Sequence, residues 1–151
     1  MKTLLILAAL ALALAGPAVA GKTTHTIGGV EWRELTPAEV KMIPVLTVLR
    51  HKRQIPPARF DYFNPNVKII RAANIANKCA ELRTKMFRQA VKISAAKPLA
   101  CAVSSYHVET GKWVRDNGTC TIVLPKNSPY LAILMRHEMG HCAGWPSNHP
   151  D

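Results

Sequence analysis

The sequence predicts a single small α+β domain, and three observations predict it. An apolar stripe at helical spacing runs from about Ile69 to Val91, two β-rich segments joined by a turn span 99–124, and an apolar helix follows from Ser128 to Ala143. The expected architecture is a short antiparallel sheet packed on the long helix and on the C-terminal helix.

The elements follow in order. Met1-Lys2 and the apolar run Leu4–Ala15 precede Ala18-Val19-Ala20, the pattern of a cleaved signal peptide over residues 1–20. Twelve apolar residues are too short to span about 30 Å of hydrocarbon as a helix, and no later segment is a candidate span. Residues 22–34 read as extended chain broken at Gly28-Gly29. Thr36-Pro37-Ala38-Glu39 reads as a capping box with Pro at the first helical position, opening a helix that should end or kink near Pro44. Residues 53–66, with Pro56-Pro57 and Asn64-Pro65-Asn66, read as a long surface loop. In the 69–91 helix, Ala72, Ile75, Cys79, Leu82, Met86 and Ala90 form the buried stripe. Ser128 and Pro129 read as N-cap and first residue of the last helix, with Gly144 as its C-terminal stop.

Without its first twenty residues, the chain of 151 keeps 131, with nineteen basic residues against nine acidic ones, a net charge of +10. That length supports one domain, residues 21–151. The charge favours anionic surroundings such as cell-wall polymers. The basic residues are scattered and lack interleaved aromatics, so specific nucleic-acid binding is not expected.

The four cysteines, Cys79, Cys101, Cys120 and Cys142, imply two disulfides and an oxidising compartment, with three possible connectivities. If Thr110-Gly111 is the hairpin turn, Glu109 faces Lys112 and, counting back, Cys101 faces Cys120. That register favours Cys101–Cys120, leaving Cys79–Cys142. Asn117-Gly118 is a competing turn that would move Cys120 to another strand.

The chemistry lies in His137-Glu138-Met139-Gly140-His141. Residues four apart on a helix share a face, so both imidazoles can reach one zinc ion, and Glu138 leaves the helix beside them as a general base toward water. The stretch from His137 to His149 resembles the zincin metallopeptidases, and Gly144, three residues after His141, resembles the metzincin extension that turns the chain back toward the metal. His-Cys-x-Gly-Trp-Pro followed by a His is similar to small peptidase-like proteins of bacteria and phages. The resemblance covers about fifteen residues and implies zinc ligation by His137 and His141, with Glu138 as the catalytic base. It departs from metzincins at Ser147, which stands where their third ligand falls, and in lacking a downstream methionine turn. By analogy with zincins, strand 119–124 would be the sheet edge that pairs with extended substrate.

Beyond Gly144, only His149 and Asp151 have strong ligand chemistry, and His149 is the expected third ligand, with Asp151 the runner-up and His107 the first upstream alternative. Tyr106, His107, Tyr130 and Arg136 are candidates to steady substrate, and Trp145 is expected to lie in the core below the site. These readings describe an exported, periplasmic or secreted, monomeric zinc peptidase acting on peptide or protein, with cell-wall peptide one possible substrate. The alternative is a non-catalytic cationic envelope protein stabilised by zinc. A third reading makes residues 21–60 a pro-segment that blocks the cleft.

Overall fold

The structure, a computed structural model, describes residues 24–46, 54–88, 98–109, 112–147 and 149. Residues 1–20, where a signal peptide was expected, and Asp151 lie outside them. Eight elements follow one another: β1 (His25–Ile27), β2 (Val30–Trp32), α1 (Pro37–Leu46), β3 (Val67–Ala72), α2 (Ile75–Phe87), β4 (Cys101–Glu109), β5 (Lys112–Pro125) and α3 (Leu131–Cys142). The architecture is α+β, as expected.

The main sheet has the order β3-β5-β4 and is mixed, not antiparallel throughout. β4 and β5 form the expected hairpin, and β3 adds to the far side of β5 in parallel, with Val67 opposite Cys120. The 69–91 stripe therefore began one element too early. Its first residues, Ile69 to Ala72, are the end of β3, and the helix starts at Ile75 behind Asn74, whose side chain accepts from the Asn77 amide at 3.0 Å. Alternating and helical patterns overlap over a short apolar run, so periodicity could not separate them. Ala90 lies outside the described residues.

The sheet divides the core in two. On one face, Ile75 and Cys79 of α2 pack with Cys101, Val103 and Val123, joined by Leu82 and Met86. On the other, Leu134, Met135, Met139 and Cys142 of α3 pack with Val67, Cys120, Ile122 and Leu124. Val30 of β2 belongs to this second core, so the β1–β2 hairpin is built into the domain. Its turn, Gly28-Gly29, has positive φ at both positions, as a tight hairpin requires. A Cβ on Gly28 would lie 2.4 Å from that of Ile69, so the hairpin's approach to β3 depends on glycine there.

The disulfides correct the sequence expectation. They are Cys79–Cys101 and Cys120–Cys142, not Cys101–Cys120 and Cys79–Cys142. Thr110-Gly111 lies outside the described residues, but the register expected beside it holds, with Glu109 facing Lys112 and the count kept as far as Tyr106 opposite Arg115. Beyond it, β5 spends residues 116–119 against residue 105 of β4, so Ser104 faces Cys120 and Cys101 faces Val123. Asn117-Gly118, the competing turn, lies inside this bulge. The slip of three residues is odd, and an odd slip moves a side chain to the opposite face. Cys101 and Cys120 thus point into different cores, and each ties its own helix to its own face of the sheet.

At the helix ends, Thr36 and Glu39 form the predicted capping box: the Thr36 amide donates to Glu39 Oε2 at 2.7 Å and the Glu39 amide to Thr36 Oγ1 at 3.3 Å. α1 takes in Pro44 and continues to Leu46. The Arg33 guanidinium holds the Glu39 carboxylate in two hydrogen bonds, of 2.8 and 2.9 Å. That partner, with the Thr36 bonds and against the cost of burial, lowers the Glu39 pKa to about 2. A depressed carboxylate stabilises the fold above its unfolded pKa and ceases to do so as pH falls through its folded one. Glu39→Gln should therefore lower the melting temperature at pH 6, and its difference from the parent should shrink between about pH 4.5 and pH 2. A constant difference across thermal melts in that range would contradict the assignment.

Candidate metal centre

α3 lies with Leu134, Met135, Glu138, Met139 and Cys142 toward the sheet, and this orientation leaves His137 and His141 together on a different face. The helix starts at Leu131 with Tyr130 as its cap; Ser128 instead accepts from the Tyr130 amide at 3.1 Å in the turn before it. Its C-terminus is closed by a Schellman arrangement, in which the Trp145 amide donates to Gly140 O at 2.9 Å and the Gly144 amide to His141 O at 3.0 Å. Gly144 has φ +99°, a conformation that L side chains rarely adopt, and it reverses the chain as expected. The return is completed by the His149 amide donating to Pro146 O at 3.0 Å, with His149 itself left-handed at φ 53°. A non-glycine residue held there costs on the order of 1 kcal/mol or more, and such strain concentrates at functional sites.

The result is a convergence of three imidazoles. His141 Nε2 lies 3.3 Å from His137 Nε2 and 3.1 Å from His149 Nε2, and the ligand atoms of the three residues form a group able to hold a metal ion. The outer nitrogens decide what this means. His137 Nδ1 is 2.9 Å from Gln54 O, and His141 Nδ1 is 2.7 Å from Trp145 O. A carbonyl only accepts, so each Nδ1 carries a proton, and in the neutral rings each Nε2 presents a lone pair. Two lone pairs 3.3 Å apart repel unless a cation lies between them. Two nitrogens each about 2.0–2.1 Å from a tetrahedral zinc ion would be roughly 3.3–3.4 Å apart. The donor set and its spacing therefore fit a small divalent ion.

Trp145, 2% exposed, floors the group as expected: its ring stacks on His141 at 5.3 Å between centroids and meets His137 and His149 at 5.3 and 4.7 Å. Cys142 is in its disulfide and turned to the core. His149→Ala should weaken zinc binding by more than the roughly 10–100-fold that loss of an outer hydrogen-bond partner costs. A parent-like affinity in competition with a chromophoric chelator would remove His149 from the ligand set.

Glu138 is 6% exposed, and its carboxyl accepts a hydrogen bond from the Ala102 amide of β4. Burial pushes its pKa up to about 8, against the lowering effects of the Ala102 bond and the Arg83 charge. A dication at the neighbouring histidines would favour the ionised form.

The other candidates separate. Arg136, a candidate to steady substrate, makes an ion pair with Asp61. Tyr130 packs at the N-terminus of α3 against the core, about 10 Å along the axis from His137. Tyr106 and His107 lie on β4, in the half of the hairpin whose side chains are outside the described residues. Strand 119–124 is not a sheet edge: as part of β5 it is central, flanked by β3 and β4, and β4 is the edge strand that reaches Glu138. In the described part of residues 21–60, Val30 lies in the core and Gln54 O accepts from His137 Nδ1. Sequence reasoning missed Gln54, Pro56, Asp61 and the Ala102 amide. Two of these act through backbone atoms, which leave no residue-type signature.

No protein-family model matches this chain, and neither curated proteins nor solved structures show a significant match.

Proposed function

We propose that this protein is an exported zinc-dependent peptidase, with His137, His141 and His149 as ligands and Glu138 as general base. The observation that carries the reading is the convergence of the three Nε2 atoms at 3.1 and 3.3 Å, two of them presenting lone pairs because carbonyls accept from Nδ1–H of the same rings. Imidazole nitrogens suit zinc, and three protein ligands are the usual number in catalytic zinc sites. Zinc so held supplies a Lewis acid that polarises a carbonyl and acidifies water. Glu138, next to His137 in the chain, takes the proton from the attacking water and returns it to the leaving amine. The Ala102 amide fixes its carboxyl.

Peptide is the favoured substrate because the carboxyl is anchored to β4, an edge strand to which an extended chain can add by backbone hydrogen bonds. Two disulfides and the apolar N-terminal run support export to the periplasm or the medium, where a basic protein meets anionic cell-wall material. The burial of Glu138 also supports the second reading, a zinc-stabilised cationic binding protein in which that carboxyl is structural. A mixed-peptide cleavage assay on zinc-loaded protein separates the two. Cleavage lost to a chelator and restored by zinc is expected, and a zinc-loaded protein that cleaves nothing would leave the second reading.

A further inference from the structure

The loop before β3 touches α3 at three places around the histidines. At one end, Gln54 O accepts from His137 Nδ1 at 2.9 Å. In the middle, Pro56 lies against Gly140 so closely that a Cβ there would be 2.7 Å from Pro56 Cβ. At the other end, the Asp61 carboxylate takes both Nε and Nη2 of Arg136, with Nε to Oδ1 at 3.2 Å, and both side chains are only 15% exposed. Between these points the loop is braced by its own turn, in which the Phe60 amide donates to Pro57 O at 2.8 Å and the Asp61 amide to Ala58 O at 3.3 Å. Arg136 and Gly140 are one helical turn apart, so the contacts cover one face of α3.

We propose that residues 54–61 form a strap that positions the metal centre, with Asp61 and Arg136 as positioning residues that hold the Gln54 carbonyl on His137. The carbonyl fixes which nitrogen of His137 carries the proton and which way the ring faces. A two-pronged ion pair of largely buried side chains attaches the far end of the loop to α3, and Gly140 leaves room for the loop to lie flat. This rests on the reading that His137 is a metal ligand.

The test is zinc affinity in the full chain for the parent, Asp61→Ala, Arg136→Ala, the exchanged pair Asp61→Arg/Arg136→Asp, and Gly140→Ala. The first two and Gly140→Ala should bind zinc about 10–100-fold more weakly, and the exchanged pair should recover part of the loss. In nitrogen-detected NMR of the metal-free protein, His137 should be protonated at Nδ1 in the parent and a mixture of tautomers in Asp61→Ala. Gly140→Ala leaves both charges in place, and because its Cβ would meet Trp145 Cε3 at 3.2 Å as well as Pro56, it supports the strap only where the His137 tautomer shifts as it does in Asp61→Ala. A parent that binds no zinc would overturn the ligand reading itself. A zinc-binding parent whose variants keep its affinity and its His137 tautomer would overturn the strap.

Discussion

Glu138→Gln is expected to cut peptide turnover by about 10²–10⁴-fold while the protein keeps its metal, which is the range that general-base help contributes. Glutamine is the informative replacement because the site is buried. Its amide oxygen can still accept from the Ala102 N–H, so the change removes the base without leaving that donor unpaired or opening a cavity. The same substitution should not destabilise the metal-free protein at neutral pH, where burial holds Glu138 largely protonated with a pKa of about 8. As pH rises from about 4.5 through 8, a carboxyl with a raised pKa progressively withdraws stability, so Glu138→Gln should gain on the metal-free parent toward alkaline pH. Turnover and metal content of the two proteins, measured together, check the first claim. An unchanged rate would exclude Glu138 as the base.

Removing either disulfide is expected to cost about 3 kcal/mol, because both close loops of the same sequence separation, 22 residues, and so constrain the unfolded chain equally. Their effects on the site should differ. Cys120–Cys142 fastens the end of α3 next to His141, with 5.6 Å between Cα atoms, whereas Cys79–Cys101 fastens α2 on the opposite face of the sheet. Cys120→Ala/Cys142→Ala should therefore lower zinc affinity as well as stability, and Cys79→Ala/Cys101→Ala should lower stability with a smaller change in affinity. Denaturant unfolding and zinc competition on the two double variants decide this. Equal losses of zinc affinity in both would show that the metal centre responds only to global stability.

The site was more legible in the sequence than the topology around it. His137 and His141 announce themselves because helical spacing converts a sequence interval directly into a shared face. His149 followed from Gly144, whose left-handed φ of +99° does reverse the chain, and from the shortage of other ligand chemistry nearby. The disulfides were misread although the register at Glu109 and Lys112 was as expected, because a bulge inside β5 shifts the register by an odd number and no residue pattern fixes where four residues will face one. Strand 119–124 was placed at an edge by analogy with zincins, and it is central. That β3 pairs with it in parallel is a contact across some fifty residues, beyond the reach of local patterning. The two backbone carbonyls that orient the imidazoles were invisible for a different reason, since every residue has one.

The most direct test of the account is metal analysis of the purified protein with its disulfides intact, loaded with zinc and then dialysed. One zinc ion per chain is expected in the parent, bound tightly enough to raise the melting temperature, with weak or absent binding in His137→Ala, His141→Ala and His149→Ala. A correctly folded parent that retains no zinc, or histidine variants that retain as much as the parent, would contradict the account.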